Sequence, residues 1–284
     1  MLIGIVAVLA LLLGAVVCAC VGAFAGLCWL WLLPLSGLGF FLVLGLLVFL
    51  FTWFVCSRVR MDVPQEKDSK FFRTLTYLLI QAAMAILQMR VHTKGLEKTP
   101  KDGRFLLVCN HINDMDPVTL LWFFRKSQLA FISKRENDQK FLVGPLMHKM
   151  MCQPINREND REALKTILKC IQLIKEDQVS IAVFPEGYTS MDGLLHPFRS
   201  GVFKIAQKAK VPIVVCTLQN TQYIFRNAKR LKPTHVHLHL LDVIPAEEIA
   251  EVTAVEIGNR IHAMMAEDLG PNLVLRGADE NEEN

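Results

Sequence analysis

Residues 105–117 read FLLVCNHINDMDP, a short apolar run followed by a polar loop and an Asp-Pro pair. A run of this length, bounded by polar residues, is typical of a buried strand. Asp116 followed by Pro117 is a common helix start, because proline fits the first turn of a helix. The stretch therefore predicts a buried strand that leads through a loop into a helix, as in a sheet covered by helices.

The same alternation continues on the C-terminal side. Further runs rich in β-forming residues are Leu129–Ser133, Val179–Phe184, Val211–Leu218 and Val236–Val243. Helical patterns lie between or after them at Pro117–Arg125, Lys140–Met151, Arg161–Glu176, Gly201–Lys210 and Ala246–Leu269. Strands that barely alternate need apolar cover on both faces. The sequence therefore predicts an α/β domain over residues 101–276, with a mainly parallel sheet covered by helices.

Residues 1–57 contain no Asp, Glu, Lys, Arg or His. A bilayer core needs about 20 apolar residues for each helical crossing, so this segment is long enough for two. We predict two membrane-embedded helices, Ile3–Leu33 and Leu38–Cys56, that form a hairpin about a turn at residues 34–37, because proline and glycine interrupt helices. A cleavable signal peptide is the alternative. It is less consistent with the long apolar core and with the lack of a basic residue after Met1.

Basic residues follow the apolar segment at once. Arg58 and Arg60 predict that this end of the hairpin lies at the cytoplasmic face of the cell membrane, since cytoplasmic flanks are enriched in Lys and Arg. Residues 58–100 are predicted to hold a linker and an amphipathic helix, Lys70–Val91, that lies on the membrane or covers the next domain. Residues 277–284 are predicted to be an acidic tail.

The composition excludes several classes of protein. The net charge is only +4 and no dense stripe of Lys and Arg is present, which argues against nucleic acid as a partner. The eight cysteines include no CxxC pair, so free thiols are expected rather than disulfides or a metal site. The GxSxG, GxxxxGKS/T, GxGxxG and HExxH patterns of serine hydrolases, phosphate-loop enzymes, dinucleotide enzymes and zinc proteases are also missing.

Two polar motifs follow predicted strands. His111 lies in the loop after the first strand and Asp116 lies five residues later, so the pair is a candidate general base with the acid that orients it. The structural alternative is Asp116 as a helix cap and His111 as an ordinary loop residue. A carboxylate can accept from two donors, so Asp116 can be a cap and orient His111 at the same time. Glu186, between Pro185 and Gly187 after another strand, is either a turn residue or a site residue. Because ligands bind at the carboxyl ends of parallel strands, both motifs favour one edge of the sheet.

Taken in order, the motifs resemble those of the glycerolipid acyltransferases, the family of the bacterial 1-acylglycerol-3-phosphate acyltransferases. The segment Asn110–Asp116 resembles the family's NHx4D motif, and Ile155–Arg157 resembles its second, arginine-bearing block. Phe184–Ser190, FPEGYTS, resembles the FPEGTRS block, and Val211–Val214, VPIV, resembles a fourth block. The likeness covers about residues 91–218.

The resemblance implies transfer of a fatty acyl group from an acyl thioester, either acyl-CoA or acyl carrier protein, to the free hydroxyl of a lysophospholipid at the bilayer. The most specific expectation is 1-acylglycerol-3-phosphate as acceptor and phosphatidate as product. His111 is then the base and Asp116 its partner, without a metal or a cofactor. The residues expected to bind substrate are Asn110, Lys134, Arg157, Glu186, Gly187, Ser190 and Arg199.

One position departs from the family pattern. Thr189 stands where the third block has an arginine, so a cation expected to bind the acceptor's phosphate is missing. Arg199, Lys204 and Lys134 are the candidates to replace it. Three other functions stay open on the sequence: transfer to another lysolipid, hydrolysis of a lysolipid or thioester by the same base acting on water, and lipid binding without catalysis.

Two further groups have a chemical and a structural interpretation. Cys109 lies two residues from His111, so its thiol is either a nucleophile that carries the acyl group or a core residue of the strand, and the strand position favours the core. His235, His237 and His239 alternate along one predicted strand. They are either zinc ligands or a partly solvated stripe, and the lack of a fourth nearby ligand favours the stripe.

Overall fold

The computed structural model describes residues 2–22, 26, 28–156, 159–190 and 192–275. Within these residues, seven strands form one sheet: β1 (Met89–Lys94), β2 (Leu106–Cys109), β3 (Leu129–Lys134), β4 (Gln153–Ile155), β5 (Ser180–Val183), β6 (Ile213–Gln219) and β7 (Thr234–Ile244). Their order across the sheet is β1-β7-β6-β2-β5-β3-β4. Strands β6, β2, β5, β3 and β4 are parallel to one another, whereas β7 runs antiparallel to β6 and carries β1 parallel to itself. The predicted α/β class with a mainly parallel sheet is confirmed.

Helices precede, connect and follow the strands. They are α1 (Leu2–Cys20), α2 (Trp29–Ser57), α3 (Lys70–Ile86), α4 (Asp116–Phe123), α5 (Val143–Lys149), α6 (Asp160–Lys175), α7 (Lys204–Ala209), α8 (Ile224–Ala228), α9 (Ala246–Ile249) and α10 (Ala254–Leu269). The central strands β2 and β5 are buried along their whole length. The core of the domain therefore lies on both faces of the middle of the sheet, as the scarcely alternating apolar runs predicted.

The predicted helix over residues 70–91 is too long. Helix α3 ends at Ile86, Gln88 adopts a left-handed φ of 50°, and the chain continues from Met89 as strand β1. In this strand Val91 pairs with Val236 of β7. The sheet thus begins before residue 101, where the sequence suggested the start of the α/β domain, because an edge strand six residues long resembles the end of an apolar helix.

The closing helix is also interrupted. Residues 246–269 form two helices, α9 and α10, with a break at residues 250–253. The hydroxyl of Thr253 accepts a hydrogen bond from the backbone N–H of Glu256, and the Glu256 side chain accepts one from the backbone N–H of Thr253. This capping box starts a new helix, because it satisfies N–H groups that the first turn of a helix otherwise leaves unpaired.

The N-terminal hairpin has its turn in a different place from the predicted one. Helix α1 ends at Cys20 and α2 begins at Trp29, so Pro34 lies inside α2 and residues 34–37 are helical. A Cβ atom on Gly14 would lie 3.0 Å from the backbone nitrogen of Gly37. Small residues allow two helices to approach this closely. Gly37 therefore lies inside α2, where it packs against α1, and the predicted turn at residues 34–37 is wrong.

Both hairpin helices are long and apolar enough to cross a membrane. Most of their large side chains, including Leu12, Trp31 and Phe51, are exposed. A continuous apolar surface of this size is rare on a water-soluble protein and marks a membrane or protein contact. The hairpin therefore favours association with a membrane.

Helix α3 connects the hairpin with the sheet domain, contacting both α1 and α4. Its Arg73 is only 4% exposed and forms an ion pair of 2.7 Å with Asp68. The same guanidinium donates a hydrogen bond of 2.9 Å to the carbonyl oxygen of Leu129 at the start of β3. A buried charge needs such partners. The sequence predicted that this helix lies on the membrane or covers the next domain, and in the structure it packs against the sheet domain.

Candidate active site

His111 and Asp116 form a hydrogen-bonded pair in the loop between β2 and α4. The Nδ1 atom of His111 lies 2.9 Å from Oδ2 of Asp116. The aspartate side chain is fully buried, whereas the imidazole keeps 14% exposure. An acid that accepts the Nδ1 proton leaves Nε2 as the proton-accepting nitrogen of the neutral ring. This is the arrangement of a general base with an orienting acid.

The Asp116 carboxylate also holds the loop that carries the histidine. Its Oδ2 atom accepts hydrogen bonds of 2.6 Å and 2.7 Å from the backbone N–H groups of Ile112 and Asn113. Asp116 is itself the first residue of α4, and the preceding Met115 makes no side-chain cap. The alternative of Asp116 as the helix cap is therefore wrong. The carboxylate faces back to the loop and orients His111.

The imidazole ring of His111 is also held by an aromatic ring. It stacks on Phe184 with centroids 4.1 Å apart and an angle of 16° between the planes. Phe184 follows β5 directly, and its other neighbour is Phe131 of β3, at 5.7 Å. Stacking limits rotation of the imidazole, so the base is restrained by Asp116 in its plane and by Phe184 on its face.

Glu186 ties the second motif to the first. Its Oε1 atom accepts a hydrogen bond of 2.8 Å from the backbone N–H of His111, and Oε2 accepts one of 3.1 Å from the backbone N–H of His196. The residue is 1% exposed. Burial raises the pKa of Glu186 from 4.5 to about 7, against the two backbone hydrogen bonds, which lower it. Both oxygens accept hydrogen bonds inside the protein, so Glu186 holds the two loops in position.

Gly187 and Arg199 lie against each other. Gly187 has a φ of +84°, which favours glycine, and a Cβ atom there would lie 2.9 Å from Nε of Arg199. The backbone N–H of Arg199 donates to the carbonyl oxygen of Pro185 at 2.8 Å. The structure therefore brings the exposed Arg199 beside the FPEGYTS loop, although the two are separated by a loop in sequence.

Thr189 contacts the base directly. Its hydroxyl oxygen lies 2.9 Å from Nε2 of His111. The next residue, Ser190, donates its backbone N–H to the carbonyl oxygen of His111 at 2.8 Å. The Ser190 side chain is buried, and its hydroxyl makes no hydrogen bond within the described residues. The loop after β5 is thus attached to His111 at its N–H, its carbonyl and its ring.

Asn110 serves the sheet. Its side-chain oxygen accepts from the backbone N–H of Leu218 at 2.8 Å, and its side-chain nitrogen donates to the carbonyl oxygen of the same residue at 2.9 Å. Only 2% of Asn110 is exposed. Both polar atoms are occupied, so the geometry gives no support to its predicted contact with substrate. The residue joins the ends of β2 and β6 just before the base.

The remaining predicted cations lie further along the same edge. Lys134 is the exposed last residue of β3 and pairs with Ile155, the last residue of β4. Arg157 comes two residues after Ile155 and lies outside the described residues. Since β2, β5, β3 and β4 are neighbouring parallel strands, His111, Glu186, Lys134 and Ile155 all lie at or beyond their carboxyl ends.

Burial and geometry bear on the two remaining groups, Cys109 and the histidines of β7. Cys109 is fully buried, and burial raises its thiol pKa well above the usual range, so it is a core residue. His235, His237 and His239 lie on β7, and His92 of β1 stacks on the first two. Within the described part of the chain, no group of three or more His, Cys, Asp or Glu residues is placed to hold a metal ion.

Comparison with known proteins gives a match over the segment that carries these motifs. A family model described as Acyltransferase matches residues 90–219, from β1 to the end of β6. Residues 90–219 therefore resemble the acyltransferase family. The matched segment contains both motifs, His111 with Asp116 and Glu186 with Thr189.

Curated relatives match more than half of the chain. The chain is 28% identical over 62% of its length to a protein of Cocos nucifera named 1-acyl-sn-glycerol-3-phosphate acyltransferase, covering 58% of that protein. It is 29% identical to a protein of Mycoplasma pneumoniae with the name "probable" 1-acyl-sn-glycerol-3-phosphate acyltransferase, covering 66% of it. A Bacillus subtilis protein named 1-acyl-sn-glycerol-3-phosphate acyltransferase is 27% identical to this chain. The match covers 63% of this chain and 92% of that protein. The chain thus spans well under the full length of the first two relatives.

A solved structure has the same fold. The crystal structure of the 1-acyl-sn-glycerophosphate acyltransferase PlsC from Thermotoga maritima superposes with a TM-score of 0.59. The match covers 77% of this chain and 86% of that one, at 22% sequence identity. At this identity the match shows that the two chains share a fold.

Sequence reasoning missed two members of the site. Phe184 was recognised as part of a motif but not as the ring that stacks on His111. Thr189 was interpreted only as the loss of an arginine, whereas it bonds the base. The sequence signal for Thr189 is a hydroxyl side chain in a motif that follows a strand. The sequence alone could not show that this strand, β5, lies next to β2 and so brings Thr189 to His111.

Proposed function

We propose that this chain is a membrane-anchored O-acyltransferase that transfers a fatty acyl group from an acyl thioester to the free hydroxyl of 1-acylglycerol-3-phosphate, giving phosphatidate. The observation that carries the proposal is the His111 ring, with Asp116 on Nδ1 and a hydroxyl group already at hydrogen-bond distance from Nε2. The names of the coconut and Bacillus relatives support the same acceptor and reaction.

The reaction follows from the two nitrogen atoms of His111. Nε2 takes the proton of the acceptor hydroxyl as that oxygen attacks the thioester carbonyl, so a C–O bond forms. Asp116 stabilises the resulting imidazolium through its hydrogen bond to Nδ1. The tetrahedral intermediate collapses, the C–S bond breaks, and the imidazolium returns the proton to the thiolate. The acyl group moves directly from sulfur to oxygen.

Cations near the base are proposed to bind the acceptor's phosphate. Arg199 lies beside Gly187, and Lys134 ends the strand next to β5. Arg157 belongs to the adjacent block in sequence. A guanidinium group meets two phosphate oxygens at once, which makes Arg199 and Arg157 the stronger candidates. Arg199 would then supply the charge that the family places at the position of Thr189.

The hairpin is proposed to keep the site at the bilayer, where the acyl chains of the substrates reside. Helix α3 contacts both α1 and α4, the helix that starts at Asp116, so the hairpin and the base are joined through one packed element. Arg58 and Arg60 at the end of α2 favour the cytoplasmic face, where the thioester donors are made available.

The test is a transfer assay with the full-length protein in lipid nanodiscs. Labelled acyl-CoA or acyl carrier protein is supplied as donor, with a panel of lysolipids that differ in headgroup, and products are identified by mass. We expect phosphatidate from wild-type protein, and a loss of about 10²–10⁴ in rate for His111→Ala. Release of free fatty acid with every acceptor would identify a hydrolase instead. Absence of any turnover would leave lipid binding as the function.

A further inference from the structure

The proton-accepting nitrogen of the base is occupied by a residue of the protein. Asp116 accepts the Nδ1 proton of His111, so Nε2 carries a lone pair, and the Thr189 hydroxyl at 2.9 Å donates to it. An imidazole nitrogen has one lone pair in the ring plane. Any other hydroxyl that His111 deprotonates must therefore take the position that Thr189 holds.

The side chain of threonine is chemically close to the proposed acceptor. Threonine carries a secondary alcohol on Cβ, and the free hydroxyl of 1-acylglycerol-3-phosphate is likewise a secondary alcohol on the middle carbon of glycerol. The hydrogen bond from Thr189 to Nε2 is the one that the acceptor must form before it loses its proton. Thr189 thus marks the position of the acceptor hydroxyl.

The surrounding contacts allow this hydroxyl to leave without moving the loop. The backbone next to Thr189 is held by the N–H of Ser190, which donates to the carbonyl oxygen of His111 at 2.8 Å, and by the carboxylate of Glu186. The Thr189 side chain itself is partly exposed. Rotation about its Cα–Cβ bond carries the hydroxyl away from Nε2 while the loop and the imidazole keep their positions.

We propose that Thr189 protects the base from water until the lysolipid arrives, an inference that rests on the proposed function. A water molecule at Nε2 would be deprotonated in the same way, its oxygen would attack the thioester, and the products would be a fatty acid and a thiol. While the Thr189 hydroxyl holds the lone pair, water has no such position. The acceptor's hydroxyl replaces Thr189 because its phosphate and acyl chain bind elsewhere on the protein.

Two substitutions separate this role from a purely structural one. Thr189→Ala removes the hydroxyl and leaves room for water at Nε2, whereas Thr189→Val removes the hydroxyl and keeps the volume. Without lysolipid, we expect thioester hydrolysis to rise by about 10-fold in the alanine variant and by less in the valine variant, whose extra methyl group still fills part of the space. In both, the KM for the acceptor should fall by about 2- to 10-fold, because a competing hydrogen bond is lost.

The same measurements reject the proposal if it is wrong. Thr74→Ala, which removes an exposed hydroxyl that bonds only to its own helix, is the control and should match wild type in both assays. Unchanged hydrolysis in Thr189→Ala together with an unchanged KM in Thr189→Val would overturn the protective role. Covalent acylation of Thr189 in wild-type protein without acceptor, detected by intact mass, would also overturn it by making Thr189 a nucleophile. Wild-type protein that transfers to no lysolipid refutes the proposed function itself, which is established before the variants are compared.

Discussion

The carboxylate of Glu186 accepts a hydrogen bond of 2.8 Å from the backbone N–H of His111, across 75 positions of sequence. This contact joins the two motifs that follow β2 and β5, and it places a buried acid next to the base without a direct side-chain contact between them. With the stacking of Phe184 on the imidazole, it makes the geometry of the base depend on the neighbouring strand. The following predictions test this dependence and the roles of the residues around it.

Asp116→Asn should reduce turnover by about 10³-fold, because an uncharged amide does not stabilise the imidazolium that forms when His111 takes the proton. The backbone N–H groups of Ile112 and Asn113 retain an oxygen acceptor, so the loop should stay folded. The measurement is kcat with saturating substrates. Asp114→Asn, an exposed change in the same loop, is the matched control and should keep wild-type turnover. Wild-type kcat in a folded Asp116→Asn protein would contradict the assignment.

Glu186 should make the stability of the protein depend on pH. Its pKa is raised by burial from 4.5 to about 7, so between these values the folded protein binds a proton that the unfolded chain has released. The free energy of unfolding should therefore decrease as the pH rises from 4.5 to 7 and level off above 7. The contribution is about 3 kcal/mol at most, from 1.36 kcal/mol for each pKa unit.

The measurement compares wild type with Glu186→Gln by thermal unfolding in detergent at pH 5 and pH 8. Glutamine does not titrate, so the stability advantage of wild type over the variant should be larger at pH 5. Glu247→Gln, at an exposed position of α9, should show no such pH-dependent difference. An advantage that grows towards pH 8 would mean that Glu186 is held as a carboxylate at neutral pH.

Arg199→Ala should raise the KM for 1-acylglycerol-3-phosphate by roughly 10- to 150-fold and leave the KM for the thioester nearly unchanged, since a charged hydrogen bond to phosphate contributes about 1.5–3 kcal/mol. Gly187→Ala should act in the same direction, because its Cβ would lie 2.9 Å from Nε of Arg199. Arg230→Ala, at an exposed site after α8, is the control. Unchanged kinetics in Arg199→Ala, with improved kinetics in Thr189→Arg, would indicate another lysolipid as the natural acceptor.

Gly14→Leu should weaken the packing of the hairpin, because the added side chain would meet the backbone of Gly37 and the hydroxyl of Ser36 at 3.0 Å. Gly4→Leu is the matched control, since a Cβ atom there has no heavy atom within 4 Å. The effect can be measured as the midpoint of thermal unfolding and as the fraction that floats with lipid vesicles. Equal behaviour of the two variants would refute the close approach of α1 and α2.

The class of fold could be predicted because local physics determines it. The apolar runs at 105–109, 179–184 and 211–218 form β2, β5 and β6, since strands covered on both faces must be apolar throughout. The positions of His111 and Glu186 at the ends of such strands followed from the same pattern. The charge-free segment predicted two apolar helices because length and apolar composition are also local properties of the sequence.

Other features depended on contacts between distant residues. Pro34 and Gly37 are strong local signals for a turn, yet both lie inside α2, and Gly37 packs against Gly14 of α1. Strand β1 forms only because β7 offers it an edge to pair with.

The alternation of strands and helices, the apolar helices and the two motifs can be read from the sequence, because each depends on neighbouring residues. The contacts of the motif side chains cannot, because they depend on the folded chain. Asn110 joins β2 to β6, Glu186 holds the backbone of His111, and Thr189 occupies the nitrogen of the base. These roles arise where strands that are far apart in sequence become neighbours in the sheet. The hydrogen bonds that connect them join atoms whose proximity has no local signal.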